Sequence, residues 1–183
     1  MRSAIFFERD GILNLAKAER QHQISPLNFE DFQINEEALE PLSHLKQAGF
    51  LLIGTTNQPG LSRGYQSRRE LEMMHMLLRK NLPLDDILVC PHDELDSCPC
   101  RKPQTGLFQE AAFKWQLDLE RCYVVSDKWQ DAHAAHLLGC TSLLLKSPWN
   151  GSSHHDLIVN KLGDVAARII QAHSAPVLAM HQI

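Results

Sequence analysis

The sequence has no apolar run of the roughly 18 residues that a membrane-spanning helix requires. The hydrophobic stretch near its start, Ile5-Phe6-Phe7, is cut at once by Glu8-Arg9-Asp10 and offers no signal-peptide core. Positive charge is not in excess: 18 Lys and Arg face 22 Asp and Glu, for a net charge of −4. The broad basic surface of a nucleic-acid binder is therefore not expected. Cysteine is scarce, and its odd number of five argues against a closed disulfide framework. Repeats and low-complexity tracts are also absent. What remains, 44% hydrophobic and 22% charged residues over 183 positions, is the composition and length of one globular domain. The expectation is a monomer in the cytoplasm, a single domain over residues 1–183, with 174–183 as a loose tail and no membrane or nucleic-acid partner.

Short apolar runs alternate with longer amphipathic stretches. Strands are predicted over 4–7, 50–55, 87–90, 122–125 and 142–145, and helices over 36–48, 67–80, 107–115, 130–138 and 157–173. That alternation points to an α/β three-layer sandwich with a central parallel sheet. Ligands of such sheets bind beyond the carboxyl ends of the strands. Glu8 and Asp10 follow the first run, Thr56 and Asn57 the second, and Asp127 and Lys128 the fourth, while Arg101 and Lys102 precede the third helix. Four segments distant in sequence thus meet at one edge.

Two carboxylates two residues apart, Glu8 and Asp10, repel each other unless a cation or proton separates them. Mg²⁺ suits such oxygens and leaves room for a phosphate, and Asp127 offers a third oxygen ligand. Lys102 and Arg101 supply positive charge for a phosphoryl group, and the Thr56 hydroxyl extends that cradle. A separate cluster, Cys90-Pro-His92 followed by Cys98-Pro-Cys100, has the Cys₃His composition of a structural Zn²⁺ site. Cys122 and Cys140 read as small core residues, and His133, His136, His154 and His155 as surface residues. Trp129 and Trp149 flank the expected site and read as packing residues.

The string Phe6-Phe-Glu-Arg-Asp-Gly-Ile-Leu-Asn14 resembles motif I of the haloacid dehalogenase-like (HAD-like) hydrolases, normally D-x-D-G. Gly54-Thr-Thr-Asn-Gln-Pro-Gly-Leu-Ser-Arg-Gly64 resembles motif II, Cys100-Arg-Lys-Pro103 motif III, and Val124-Val-Ser-Asp-Lys-Trp-Gln-Asp131 motif IV. Within that superfamily the second and third strings are most similar to the heptose-bisphosphate phosphatases. The histidinol-phosphate phosphatases are near relatives that lack the ending kept here as Arg63-Gly64. The resemblance implies a Rossmann-type fold with a minimal loop cap, and Mg²⁺-dependent hydrolysis of a sugar phosphate monoester through an acyl-phosphate intermediate. By the family pattern, position 8 is nucleophile and metal ligand, and Asp10 is the general acid and base, with its carbonyl also on Mg²⁺. Thr56 and Lys102 hold the phosphoryl oxygens, and Asp127 completes the metal site. Asn57, Arg63, Arg101 and Lys128 are substrate groups or groups that support the site from behind, the three cations suiting a second phosphate. The same resemblance supports zinc in the Cys/His loop, fixing the segment that carries Arg101 and Lys102.

The chain departs from the pattern at two places: Glu8 stands where the family has Asp, and Ser126 where it usually has Gly. The additional methylene moves the carboxylate outward by about one bond, and a misplacement of about 1 Å can cost on the order of a hundredfold in rate. Three readings stay open: an enzyme adjusted to Glu8, a catalytically impaired protein that still binds Mg²⁺ and a phosphorylated ligand, or a site altered to trap a bound state.

Overall fold

A computed structural model of the chain describes residues 2–19, 22–152 and 154–174. The first strand, β1 (Ala4–Glu8), is buried along its whole length and alternates between two cores. Ile5 and Phe7 face one core, and Ala4 and Phe6 face the other. That is the two-sided burial of a parallel strand covered on both faces.

A two-stranded antiparallel hairpin follows, β2 (Lys17–Glu19) and β3 (His22–Ile24). Then come α1 (Leu39–Gln47), β4 (Leu51–Asn57), α2 (Arg68–Asn81) and β5 (Asp86–Cys90). The second half holds α3 (Gly106–Trp115), β6 (Tyr123–Ser126), α4 (Trp129–Leu138), β7 (Thr141–Leu145), β8 (Leu157–Val159) and α5 (Leu162–Ser174). The main sheet is wholly parallel in the order β5-β4-β1-β6-β7-β8. Leu42 and Leu45 of α1, Met74 and Leu78 of α2, and Val165 and Ile169 of α5 fill one core. Leu107, Phe108 and Ala111 of α3 and Ala134 and Ala135 of α4 fill the other. The expected three-layer α/β sandwich is therefore what forms. Strand order turns outward in both directions from β1, so the switch point falls at the carboxyl ends of β1, β4 and β6. A crevice opens there in folds of this kind.

The structure corrects three expectations. The predicted helix over 157–173 begins as β8, which pairs Leu143↔Leu157, Leu144↔Ile158 and Leu145↔Val159, and only then turns into α5. Three apolar residues with two β-branched members satisfy either period, and the open edge of β7 decides for the strand. The small cap, read as loops, contains the β2–β3 hairpin. The helix over 36–48 opens with a 3₁₀ turn, Glu36–Ala38, where Asn35 accepts a hydrogen bond from the Glu37 N–H at 3.2 Å. The tail reading falls outside the described residues except for Ser174, which closes α5. Cys122 and Cys140 are buried in the α3–α4 core, as expected.

Phe6 and Phe108 meet edge to face with centroids 5.0 Å apart, joining β1 to α3 beneath the site. Phe108→Ala is expected to lower the unfolding free energy by about 3–5 kcal/mol. A chemical denaturation midpoint unchanged by the substitution would show that this joint bears no load.

Candidate active site

The backbone at the end of β1 places Glu8 and Asp10 on the cavity and turns the intervening Arg9 inward. The cavity, of about 520 Å³, is lined by Glu8, Asp10, Asn57, Arg101, Lys102, Lys128 and Asp131 among others. Each of the four segments singled out in the sequence contributes to this wall.

Glu8 folds its longer side chain back on the turn. Its Oε1 accepts from the backbone N–H of Arg9 at 3.0 Å and of Asp10 at 3.2 Å, while Oε2 is ion-paired with Lys102. Burial opposes its ionisation, but the Lys102 and Lys128 ammonium groups outweigh burial and hold its pKa below the ordinary range. Lys102 is buried and lies between two acids, Glu8 on one side and Asp131 Oδ1 at 2.7 Å on the other. Burial pushes Asp131 above the ordinary carboxylate range, with the nearby Glu8 charge acting in the same direction. Asp131 carries no role in the sequence reading, although its place in the first turn of the helix that follows Asp127 was a usable signal. The Ser126 hydroxyl donates to Asp131 Oδ2 at 2.9 Å and accepts from the Lys128 N–H at 3.1 Å, which gives the Gly-to-Ser departure a role.

Asp10 carries an unusually full set of donors. Arg9 meets both oxygens, through Nε to Oδ1 at 3.0 Å and Nη2 to Oδ1 and Oδ2 at 2.8 and 3.1 Å. Ser25 Oγ at 2.7 Å and Gln58 Nε2 at 2.8 Å both donate to Oδ2. Burial is outweighed by Arg9, Lys128 and Ser25, and the pKa of Asp10 is drawn down to about 2. Thr56 is buried and off the cavity wall, where its hydroxyl accepts from the same Gln58 amide at 2.8 Å. The Asn57 side chain exchanges two hydrogen bonds with the Lys102 backbone, each 3.0 Å, and so fixes the end of β4 to the loop before α3.

Lys128 Nζ stands 2.6 Å from the Asp10 carbonyl oxygen, 3.3 Å from Asp127 Oδ1 and 3.9 Å from Glu8 Oε1. These three oxygens therefore surround one point that already holds positive charge. Asp127 Oδ1 is buried with no hydrogen-bond partner among the described residues, and burial raises its pKa. A buried carboxylate oxygen whose near partner is the Lys128 ammonium alone, in an all-oxygen set, fits a hard divalent cation. The β2–β3 hairpin reaches this point through Gln23 Nε2, which donates to Asp127 Oδ2 at 2.9 Å. Gly11 makes room for that contact: at φ +97° it has no side chain, and a Cβ there would stand 2.3 Å from Gln23 Nε2. Neither Gln23 nor Ser25 carried a signal in the sequence, because the short hairpin that aims them was not foreseen.

The Cys90, His92, Cys98 and Cys100 ligand atoms lie within 4.8 Å of one another. The sulfur–sulfur distances are 3.2–3.6 Å. An ideal zinc tetrahedron with 2.3 Å bonds has edges of about 3.8 Å, so the cluster fits that ion with little adjustment. Arg101 lies beside the cluster, donating to the His92 carbonyl at 3.2 Å and pairing with Glu94, and it lines the cavity. Arg63 is off the cavity wall, paired with Asp93 and Glu94. Trp129 and Trp149, read as packing residues, both line the cavity.

A family model described as "HAD-hyrolase-like" matches residues 99–168. The D-glycero-beta-D-manno-heptose-1,7-bisphosphate 7-phosphatase of Haemophilus ducreyi is 33% identical over 181 residues, covering 90% of this chain and 96% of the relative. The enzyme of the same name from Pseudomonas aeruginosa is 32% identical over 151 residues, covering 80% of this chain and 82% of that one. Among solved structures, the D,D-heptose 1,7-bisphosphate phosphatase of B. bronchiseptica, complexed with magnesium and phosphate, superposes with a TM-score of 0.79 at 26% identity, covering 94% of this chain and 99% of that one. The doubly wound sheet and the carboxylate–lysine site at its switch point are those of a HAD-like hydrolase, and the chain belongs to that family. Its enzyme class follows from the same relatives: a phosphatase, acting on phosphate esters.

His75 of α2 is buried behind Arg9, with burial, Arg9 and Arg79 drawing its pKa down to about 3 against a smaller opposing effect of Asp10. Its neutral form therefore contributes stability that is complete above about pH 6.5 and is lost as pH falls toward 3. His75→Gln is expected to reduce the stability lost between pH 7 and pH 5 by about 2 kcal/mol, measured by denaturant titration at both values. Equal losses in the two proteins would exclude a buried neutral imidazole.

Proposed function

We propose that the protein is a Mg²⁺-dependent phosphatase that removes the 7-phosphate of a D-glycero-D-manno-heptose 1,7-bisphosphate. The observation that carries this reading is the meeting of Glu8, Asp10, Lys102, Lys128 and Asp131 on one cavity beside Asp127, in a chain whose relatives are named for that reaction. Glu8 occupies the nucleophile position. Its carboxylate oxygen attacks phosphorus, the bond to the sugar oxygen breaks, and Asp10 gives that oxygen a proton. Water then attacks the acyl phosphate, Asp10 takes the water's proton, and Glu8 is released. In the free protein Asp10 is a carboxylate, so it needs to gain its proton as substrate binds. An arriving phosphate dianion supplies the like charge that raises its pKa.

Lys102 neutralises the phosphoryl oxygens, and Thr56 supports the cradle from behind through Gln58. Arg101 and Lys128 face the cavity and suit the second phosphate, with Asn57 holding Lys102 in place and Arg63 backing Glu94. Glu8, the Asp10 carbonyl and Asp127 would hold Mg²⁺, which when bound neutralises and orients the phosphoryl group. Cys90, His92, Cys98 and Cys100 would hold a structural Zn²⁺ that fixes the loop leading to Arg101 and Lys102.

One observation favours a second reading. Both Glu8 oxygens are committed, one to two backbone N–H groups and the other to Lys102, which suits a protein that binds Mg²⁺ and a phosphorylated ligand with little turnover. Phosphate release from heptose 1,7-bisphosphate and from histidinol phosphate, with and without Mg²⁺, separates the two when this chain is run beside its Glu8→Asp variant. The Asp variant is expected to be faster by about a hundredfold and to prefer the heptose. A variant no faster than the chain would mean that the site has adapted to Glu8. Silence from both would remove the phosphatase reading. For the Cys/His loop, elemental analysis of protein purified without chelators is expected to give about one zinc per chain, and zinc-free protein would overturn that assignment.

A further inference from the structure

Arg9 heads the fully buried side chains by volume, at 0% exposure, yet none of the steps above uses it. A guanidinium has five donors and is costly to bury without partners. Here Nε and Nη2 make the three contacts of 2.8–3.1 Å to Asp10, and Nη1 lies 3.4 Å from His75 Nε2. The Phe32 ring covers its face, 5.6 Å from the guanidinium carbon. His75 is itself 3% exposed, and as a neutral imidazole it can accept from Nη1.

We propose that Arg9 and His75 form a positioning relay for Asp10, in which His75 on α2 orients the guanidinium and the guanidinium fixes the plane of the carboxylate that serves as acid and base. The inference rests on the acid–base reading of Asp10 given above. The donor pattern supports it. Ser25 and Gln58 both bind Oδ2, whereas Oδ1 accepts only from Arg9 among the described residues. Without the fork, the carboxylate keeps a pivot at Oδ2 and loses the contact that stops it turning. A lysine would keep the charge but not the planar two-point grip. Replacing His75 by an apolar residue would leave a buried N–H donor without a partner, whereas Gln keeps an acceptor near the place of Nε2.

The test compares Arg9→Lys, His75→Leu and His75→Gln with their parent. Turnover is measured on p-nitrophenyl phosphate and heptose 1,7-bisphosphate, in both the Glu8 chain and the Glu8→Asp background. The guanidinium ¹H–¹⁵N spectrum of each protein is recorded alongside. Arg9→Lys is expected to lower kcat by about a hundredfold with KM within about twofold. His75→Leu should lower kcat by about tenfold, and His75→Gln should recover most of that loss. Slowly exchanging Arg9 Nη1 protons should be present in the parent and in His75→Gln, and lost in His75→Leu. Unchanged kcat in Arg9→Lys, equal effects of Leu and Gln at position 75, or parallel losses in kcat and 1/KM would overturn the relay. If no parent turns over any ester, the phosphatase reading fails. The relay is then decided by the spectra alone, and persistent Arg9 Nη1 signals in His75→Leu would overturn it.

Discussion

Four buried carboxylates, Glu8, Asp10, Asp127 and Asp131, are gathered at the ends of β1 and β6 and the start of α4. Much of the surrounding structure follows from making that concentration of negative charge tolerable. Lys102 lies between Glu8 and Asp131, Arg9 takes Asp10 from below, and Lys128 stands among the remaining oxygens. Each cation reaches the cluster from a different segment, so these pairs also join β1, the loop before α3 and the start of α4. Removing one member of such a set leaves a buried charge uncompensated, which costs more than the pair itself contributes. Among the described residues Asp127 Oδ1 has only the Lys128 ammonium, 3.3 Å away, beside it, at the point where a divalent cation fits.

The loop between β5 and α3 serves the same site from outside. Its Cys/His cluster lies on the segment that delivers Arg101 and Lys102, and the paired hydrogen bonds of Asn57 fasten that segment to β4. A cation at the cluster and a cation among the carboxylates would thus act on the same lysine through different links. One would set where its backbone lies, and the other would share the charge at its tip.

Five of the six sheet strands, the helices between them, the strand-end placement of Glu8, Asp10, Asn57 and Asp127, and the place of Lys102 before α3 were legible in the sequence, because alternating apolar runs and punctuating motifs leave few alternatives. The parts that were not legible share a physical reason. Arg9 looks like a spacer between two acids, and nothing local says that the turn after β1 rotates its side chain into the core. Gln23 and Ser25 act only because a short hairpin aims them, and three-residue strands carry too little periodicity to be read. Asp131 appears as an ordinary first-turn helix acid until Lys102, 29 residues earlier, is seen to need a second partner. Thr56 shows the converse: its position in the motif is right, but the Gln58 amide lies between its hydroxyl and Asp10.

The place of β1 in the sheet bears on how the molecule comes into being. It is the first strand in the chain and the central one in the sheet, flanked by β4 and by β6, whose Tyr123 pairs with Ile5. During synthesis one of its edges thus stays open until well over a hundred further residues have emerged, and contacts of such long range form slowly. Asp10 has Arg9 beside it from the start, but Glu8 waits for Lys102, 94 residues further on, so incomplete chains carry both a bare strand edge and a carboxylate without its lysine.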